Sequence, residues 1–204
     1  MAPKYKLTYF NIRALAEPIR FLFAYGNIEY EDIRIERENW PKVKSSYPAG
    51  KLPILEVDGK IVVQSSAICR YLAKQVGLAG ANDWEALEID SVVDTITDVR
   101  LQIVYYAFEE DKAAKAKKKE TLEKETLPAY LSRLESIAKE NGGYFVGGKL
   151  TWADLYLAAI HETFAHFLEG NPLDSYPSLQ GVVDKVYALP AIKDWIAKRP
   201  KTDI

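Results

Sequence analysis

The sequence predicts a small mixed α/β sheet covered by helices, followed by a second region built only from helices. Three observations carry that prediction. Short apolar strands alternate with helix-length segments as far as Val76, in the order βαβ and then ββα. A Gly/Ala-rich joint, Gly77 to Asn82, then interrupts the pattern. Beyond it apolar residues recur at helical spacing, and no stretch of useful length alternates with the two-residue period of a strand. The expected division is 1–80 and 81–204.

Tyr5 to Phe10 has strand character, and Glu17 to Gly26 reads as a helix with Pro18 in its first turn and Gly26 at its exit. Tyr30 to Ile35 is a second strand. Asn39 to Pro48, rich in Lys, Ser and Pro, is irregular or a short helix. Ile54 to Val57 and Lys60 to Val63 form a hairpin about Asp58-Gly59, a strong two-residue turn signal. Ser66 to Val76 is a helix, with Ile68, Tyr71, Leu72 and Val76 at helical spacing and Gly77 past its end. In the second region Trp84 to Phe108 is one long helix and Asp111 to Lys119 is a charge-dense stretch. Leu122 to Glu140 is a further long helix, in which Pro128 marks a kink or a change of element. Thr151 caps the helix Trp152 to Leu168; Tyr176 to Tyr187 and Ala191 to Ala197 follow, divided by Leu189-Pro190.

Composition narrows the function classes. Hydrophobic residues at 48% with 27% charged suit a soluble globule, and a net charge of -2 offers nothing to a nucleic acid. The start of the chain has no apolar leader, and no run approaches the roughly 18 apolar residues of a spanning helix. A single cysteine, Cys69, excludes an internal disulfide framework and fits a reducing compartment, so a cytoplasmic location is expected. His161 and His166 have no cysteine or third histidine near them in sequence, so no zinc site is expected.

The residues that promise chemistry gather around Pro53. Proline gives no N–H to a sheet ladder and is tolerated at strand starts. A cis Leu52–Pro53 bond would turn the backbone edge of Leu52 outward, where a peptide-like ligand can add itself as a strand. Gln64-Ser65 closes the next strand and opens a helix. A serine there is expected to cap that helix, whose free N–H groups form an anion site. A pocket for a small peptide carrying a carboxylate follows. Tyr9 ends the first strand beside both features, and its hydroxyl can donate to a thiolate and favour ionisation of the thiol. The expected ligand is therefore a thiol-bearing peptide.

Arg13, Lys44 and Lys51 are cations close to this site, and Lys51 has the better case because it directly precedes Leu52. Trp40 is either a hydrophobic plug or a stacking wall. Cys69 has no CxxC partner and reads as buried filler. Asp90, Asp94 and Asp98 repeat along one helix face and want a cation, a metal or a partner's basic group, for which Arg100 and the interface of a second subunit are candidates. Tyr105, Tyr106 and Phe108 either floor an apolar pocket facing Tyr9 or pack between the two regions. Thr151-Trp152-Ala153-Asp154 is close to a capping box, with Asp in place of the usual Glu, and reads as a folding device.

Several of these segments resemble the glutathione transferase family, and most closely its sigma class. They are Tyr5 to Asn11, Gly50 to Gly59, Gln64-Ser65, Val93 to Ile96, Leu150 to Asp154 and the tail Lys198-Arg199-Pro200, in order over essentially the whole chain. The resemblance implies a thioredoxin-like N-terminal domain, an all-helical C-terminal domain and a homodimer with one glutathione site per subunit. It implies that Tyr9 is catalytic and stabilises the glutathione thiolate. Phe10, Trp40 and Lys44 flank the tripeptide, and Lys51 is the basic residue near it. Leu52, before Pro53, pairs with the cysteinyl backbone. Gln64 and Ser65 hold the γ-glutamyl end, and Asp98 reaches the ligand of the neighbouring subunit. Arg13, Leu15, Tyr105, Tyr106 and Phe108 border the pocket for a small hydrophobic electrophile. Compared with the prostaglandin-synthase members of the class, Leu15 replaces an arginine, Tyr105 a tryptophan, and Thr97 one of three metal-binding carboxylates. Conjugation is the implied reaction, and no metal is expected. Glutathione-dependent isomerisation of a prostaglandin endoperoxide and a non-enzymatic structural or carrier role are the alternatives.

Overall fold

The computed structural model describes residues 3–47, 50–202 and 204; Met1-Ala2 and Pro48, the end of the Asn39–Pro48 stretch, lie outside the described residues. β1, Tyr5–Phe10, runs parallel to β2, Tyr30–Ile35, on one side and antiparallel to β3, Ile54–Val57, on the other. β4, Lys60–Val63, closes the sheet against β3, giving the order β2-β1-β3-β4. β1 is interior, and Leu7, Thr8 and Tyr9 are all buried, as befits a strand covered on both faces. Asp58 and Gly59 both take positive φ, 49° and 81°, the geometry a two-residue hairpin turn of this hand requires.

α1, Glu17–Tyr25, crosses from β1 to β2 after a 3-10 turn at Ala14–Ala16. Gly26 ends it, but the left-handed residue is Asn27, at φ 49°. Glycine is needed at 26 for space, since a Cβ there would run into Val76 Cγ1. α2, Trp40–Val43, is a single turn between 3-10 turns, and α3, Ser65–Gln75, follows the hairpin.

In the second region α4, Asp83–Ala107, is capped by Asn82, whose Oδ1 accepts from the N–H groups of Trp84 and Glu85 at 3.0 Å each. The charge-dense stretch is itself a helix, α5, Lys112–Thr121, capped by Asp111. It continues through a π-helical turn, Leu122–Thr126, into α6, Leu127–Glu140. Pro128 accounts for that turn. It cannot donate into the ladder and its ring crowds the carbonyl four residues back, so the helix widens just before it instead of kinking.

α7, Trp152–Leu168, is the central helix of the core, and every residue from Thr151 to Ile160 is buried. Its start is set by Asp154, whose Oδ2 accepts from the Thr151 N–H at 2.7 Å and the Thr151 hydroxyl at 3.0 Å. Its Oδ1 accepts from the Phe145 N–H at 3.0 Å. α8, Pro177–Ala188, and α9, Pro190–Lys198, complete the bundle. α1 packs on α7 and α9 and α3 on α7, so sheet and bundle share one core. No helix among the described residues is long and apolar enough to cross a membrane.

Candidate active site

Strand register builds the site. Thr8 lies opposite Ile54, and Ile54 opposite Val63. One residue further along each strand, Tyr9, Pro53 and Gln64 therefore end the sheet at the same rim. The Leu52–Pro53 bond is cis, as expected. Pro53 is buried, Leu52 half-buried and Lys51 exposed. Gly50 has φ 53°, and a Cβ there would lie 3.1 Å from Lys44 Cε, so the lysine stem crosses the glycine and the two lysines flank one turn.

One detail of the helix start differs from expectation. Ser65 is the first helical residue and does not cap; Gln64 holds the cap position, at φ 80° and ψ 104°, and no side chain bonds the first-turn N–H groups. A positive φ at a non-glycine residue is a strained state that persists only where the surroundings impose it. Here the chain must leave β4 and enter α3 without a linker. The first-turn amides of Ser65 and Ser66, next to Gln64 at the rim, are therefore bonded by no capping side chain.

The Tyr9 side chain is 6% exposed. Burial lifts its phenol above the ordinary value near 10, opposed by the Leu15 backbone N–H and by the charges of Arg100, Arg20 and Arg37. The group is therefore a protonated donor at neutral pH. Beyond it an aromatic row runs outward: Tyr9 meets Phe10 edge-on at 5.6 Å, Phe10 meets Trp40 at 5.5 Å, and Trp40 stacks on Tyr47 at 5.8 Å. Trp40 is thus a half-exposed wall of the rim. Tyr47, and Arg37 lying 5.9 Å over the Phe10 ring, belong to the same wall and carry no local sequence signal that marks them.

Other expected residues scatter. Phe108 meets Phe167 edge-on at 5.6 Å and lines a cleft of about 960 Å³ with Asn11, Ile12 and Arg37. Tyr105 lines a separate cavity of about 370 Å³ between α4 and α5, and Tyr106 is buried, with Lys115 Nζ 5.5 Å over its ring. The three aromatics do not form one floor, because they project from different faces of α4. Arg13 turns to α7, its Nε 3.2 Å from Glu162 Oε2, and Leu15 follows the 3-10 turn's first residue, Ala14.

Asp98 and Asp94 are exposed on α4, but Asp90 is held by Arg70 of α3, both carboxylate oxygens 2.9 Å from Nε. Arg100 is not the cation of that acidic face. Its charge acts on Tyr9 and Tyr156, and its buried Nε makes no hydrogen bond. Cys69 is fully buried, which pushes its thiol up and out of reactive range. Among the described residues no group of three or more His, Cys, Asp or Glu is placed to hold a metal ion.

Comparison with known proteins places this arrangement. Residues 5–74 match the model of the glutathione S-transferase N-terminal domain, and residues 97–199 match that of the C-terminal domain. The chain is 53% identical to a glutathione S-transferase of Anopheles gambiae, over 99% of this chain and 100% of that protein. It is 45% identical to the hematopoietic prostaglandin D synthase of Gallus gallus, over 99% of this chain and 100% of the relative. The solved prostaglandin synthase D of Nilaparvata lugens superposes with a TM-score of 0.94 at 48% identity, covering 98% of this chain and 100% of that one.

Proposed function

This chain belongs to the glutathione transferase family, with glutathione as its co-substrate, and on that premise we propose that Tyr9 activates the thiol for attack on small hydrophobic electrophiles. Residues 1–80 serve as the glutathione-binding domain and 81–204 supply the electrophile side. The tripeptide lies along the Leu52 backbone, its γ-glutamyl carboxylate at the amides of Ser65 and Ser66 beside Gln64. Its glycyl end lies against Trp40 and Lys44, with Phe10 and Lys51 flanking. Tyr9 donates its hydroxyl hydrogen bond to sulfur, the thiol proton leaves to solvent, and the thiolate attacks an electrophilic carbon while the leaving group departs. The electrophile occupies the cleft bordered by Phe108. The observation that carries this reading is the shared rim of Tyr9, Pro53 and Gln64, with a phenol that burial keeps protonated.

Tyr9→Phe removes the donor and keeps the ring. Turnover with a chlorinated nitrobenzene should fall about 100-fold, the value of one well-placed donor at a developing charge, with glutathione affinity little changed. Unchanged turnover in a folded variant would refute the assignment.

A second reading, glutathione-dependent isomerisation of a prostaglandin endoperoxide, is favoured by the likeness to the planthopper and chicken synthases. The apolar Leu15 beside Tyr9 argues for conjugation instead. Product analysis of an endoperoxide against an aryl halide separates the two, and acceleration of neither would point to a carrier. We further propose a cytoplasmic homodimer in which Asp98 reaches the glutathione of the neighbouring subunit. Trp84, Leu87, Ser91, Asp94 and Asp98 share one exposed face of α4, and Trp84 and Leu87 are 68% and 57% exposed, apolar area that a partner would cover.

A further inference from the structure

Tyr105 does not join the cleft bordered by Phe108 but stands over the separate cavity of about 370 Å³ between α4 and α5. What α5 turns toward α4 leaves that space open. Ala114, Thr121 and Thr126 are too small to fill the seam, and Gln102 and Tyr105 form the opposite wall. Leu122, 3% exposed, is the floor. Thr121 precedes the π-helical turn, Leu122 opens it and Thr126 closes it. Such a turn widens the helix, shifts the side chains that follow, and is found often at functional sites. The walls are also pinned. Lys115 Nζ donates to Ala107 O at 3.0 Å and Lys118 Nζ to Tyr105 O at 3.4 Å, tying α5 to the last turn of α4. The Tyr105 side chain, in contrast, is 57% exposed and is not packed into the core.

The rim of the cavity is basic. Lys117 and Lys118 line it, and among the described residues no acidic side chain does. Lys118 is engaged by Glu109, Lys119 by Glu123 and Lys124 by Glu120. Lys117 makes no ion pair or hydrogen bond among the described residues. We propose that this cavity is a second ligand site, separate from the electrophile cleft, that takes a small amphipathic acid. A flat apolar body lies between the Tyr105 ring and Leu122, and its carboxylate meets the Lys117 ammonium. The volume and the mostly apolar lining suit a small-molecule site. The hydroxyls of Thr121 and Thr126 and the amide of Gln102 supply the few polar groups that orient such a ligand. The cleft given to the electrophile shares none of these residues. The apolar end of the face offered to a second subunit is also distant, with Leu87 about 27 Å from Tyr105 along α4 at 1.5 Å per residue.

Calorimetric titration of the full chain with a naphthoate, and with the primary amide of the same shape, tests the site without turnover and so independently of the role given to Tyr9. The naphthoate should bind at one site per subunit. The amide should bind about fivefold more weakly, the order of one exposed ion pair. Lys117→Gln should lower the acid to the affinity of the amide and leave the amide unchanged. Ala114→Leu fills the seam and should abolish binding of both, with the helical circular dichroism of the wild type retained. An acid that binds Lys117→Gln as tightly as it binds the wild type overturns the proposal. So does full affinity in Ala114→Leu, or no binding to the wild type. An affinity that falls in Phe108→Ala instead would put the acid in the electrophile cleft and likewise overturn it. Lys117 is exposed and its exchange leaves the core untouched, so Lys117→Gln decides the matter if Ala114→Leu fails to fold.

Discussion

In the role proposed for Tyr9, burial helps because it works against the phenol's own ionisation. A phenol that stays protonated can donate throughout the range in which a thiol loses its proton. The sign follows from the direction of the shift: the Tyr9 pKa lies above its ordinary value near 10, so the donor is present below that pH and lost only above it. The rate–pH profile should therefore rise once, as the thiol ionises, and stay level to at least about pH 10. A fall beginning near pH 8 would contradict a protonated phenol donor. At this scale the sequence was a good guide to the cis Leu52–Pro53 bond and to the placement of Tyr9 near a strand end, because strand ends and prolines announce themselves locally, while Trp40 was left between plug and wall. It was a poor guide to Ser65, where a one-residue shift of the helix start exchanged a capping role for Gln64 strain. It also missed every long-range charge pair. Arg70 with Asp90 and Arg13 with Glu162 are separated along the chain by other elements, and spacing rules reach only a few residues.

Among the elements, α7 shows how one buried carboxyl sets a helix start. Asp154 receives three hydrogen bonds and is fully buried, and burial, outweighing those bonds, pushes its carboxyl up to about 6. In the unfolded chain the same group titrates near 3.8. Its native state thus binds the proton more tightly, and the linked stability is greatest below about pH 4 and is lost as pH rises through about 6. The term amounts to roughly 3 kcal/mol. Urea unfolding of the wild type and Asp154→Asn across pH 4 to 7 checks this. The difference in stability between the two should change over that window, and a constant difference would show that Asp154 does not titrate there. The capping box itself was legible from Thr151 and Asp154. The π-helical turn at Leu122–Thr126 was legible only as a proline of uncertain effect, because widening and kinking both satisfy the constraint that Pro128 imposes.

The whole molecule couples its two regions through a shared core and through charges that cross between them, Arg70 to Asp90 and Arg199 to Glu17. The expected order of strands and helices was largely readable, since βαβ and ββα units are short-range patterns. The cleft proposed for the electrophile was not, because its lining comes from the turn after β1, the segment after β2, the residue past the end of α4, α7 and the end of the chain, which no local pattern brings together. If the exposed face of α4 joins two copies, replacing Trp84 and Leu87 together by glutamate should convert a dimer to a monomer by sedimentation. Asp98→Asn should then weaken glutathione binding about tenfold with kcat preserved. A monomeric wild type would remove the basis for both expectations. Titration of the bound thiol in wild type and Tyr9→Phe shows most directly whether the phenol favours loss of the sulfur's proton. A thiol pKa well below that of free glutathione in the wild type and close to it in the variant is the predicted result. Equal pKa values in the two proteins would contradict it.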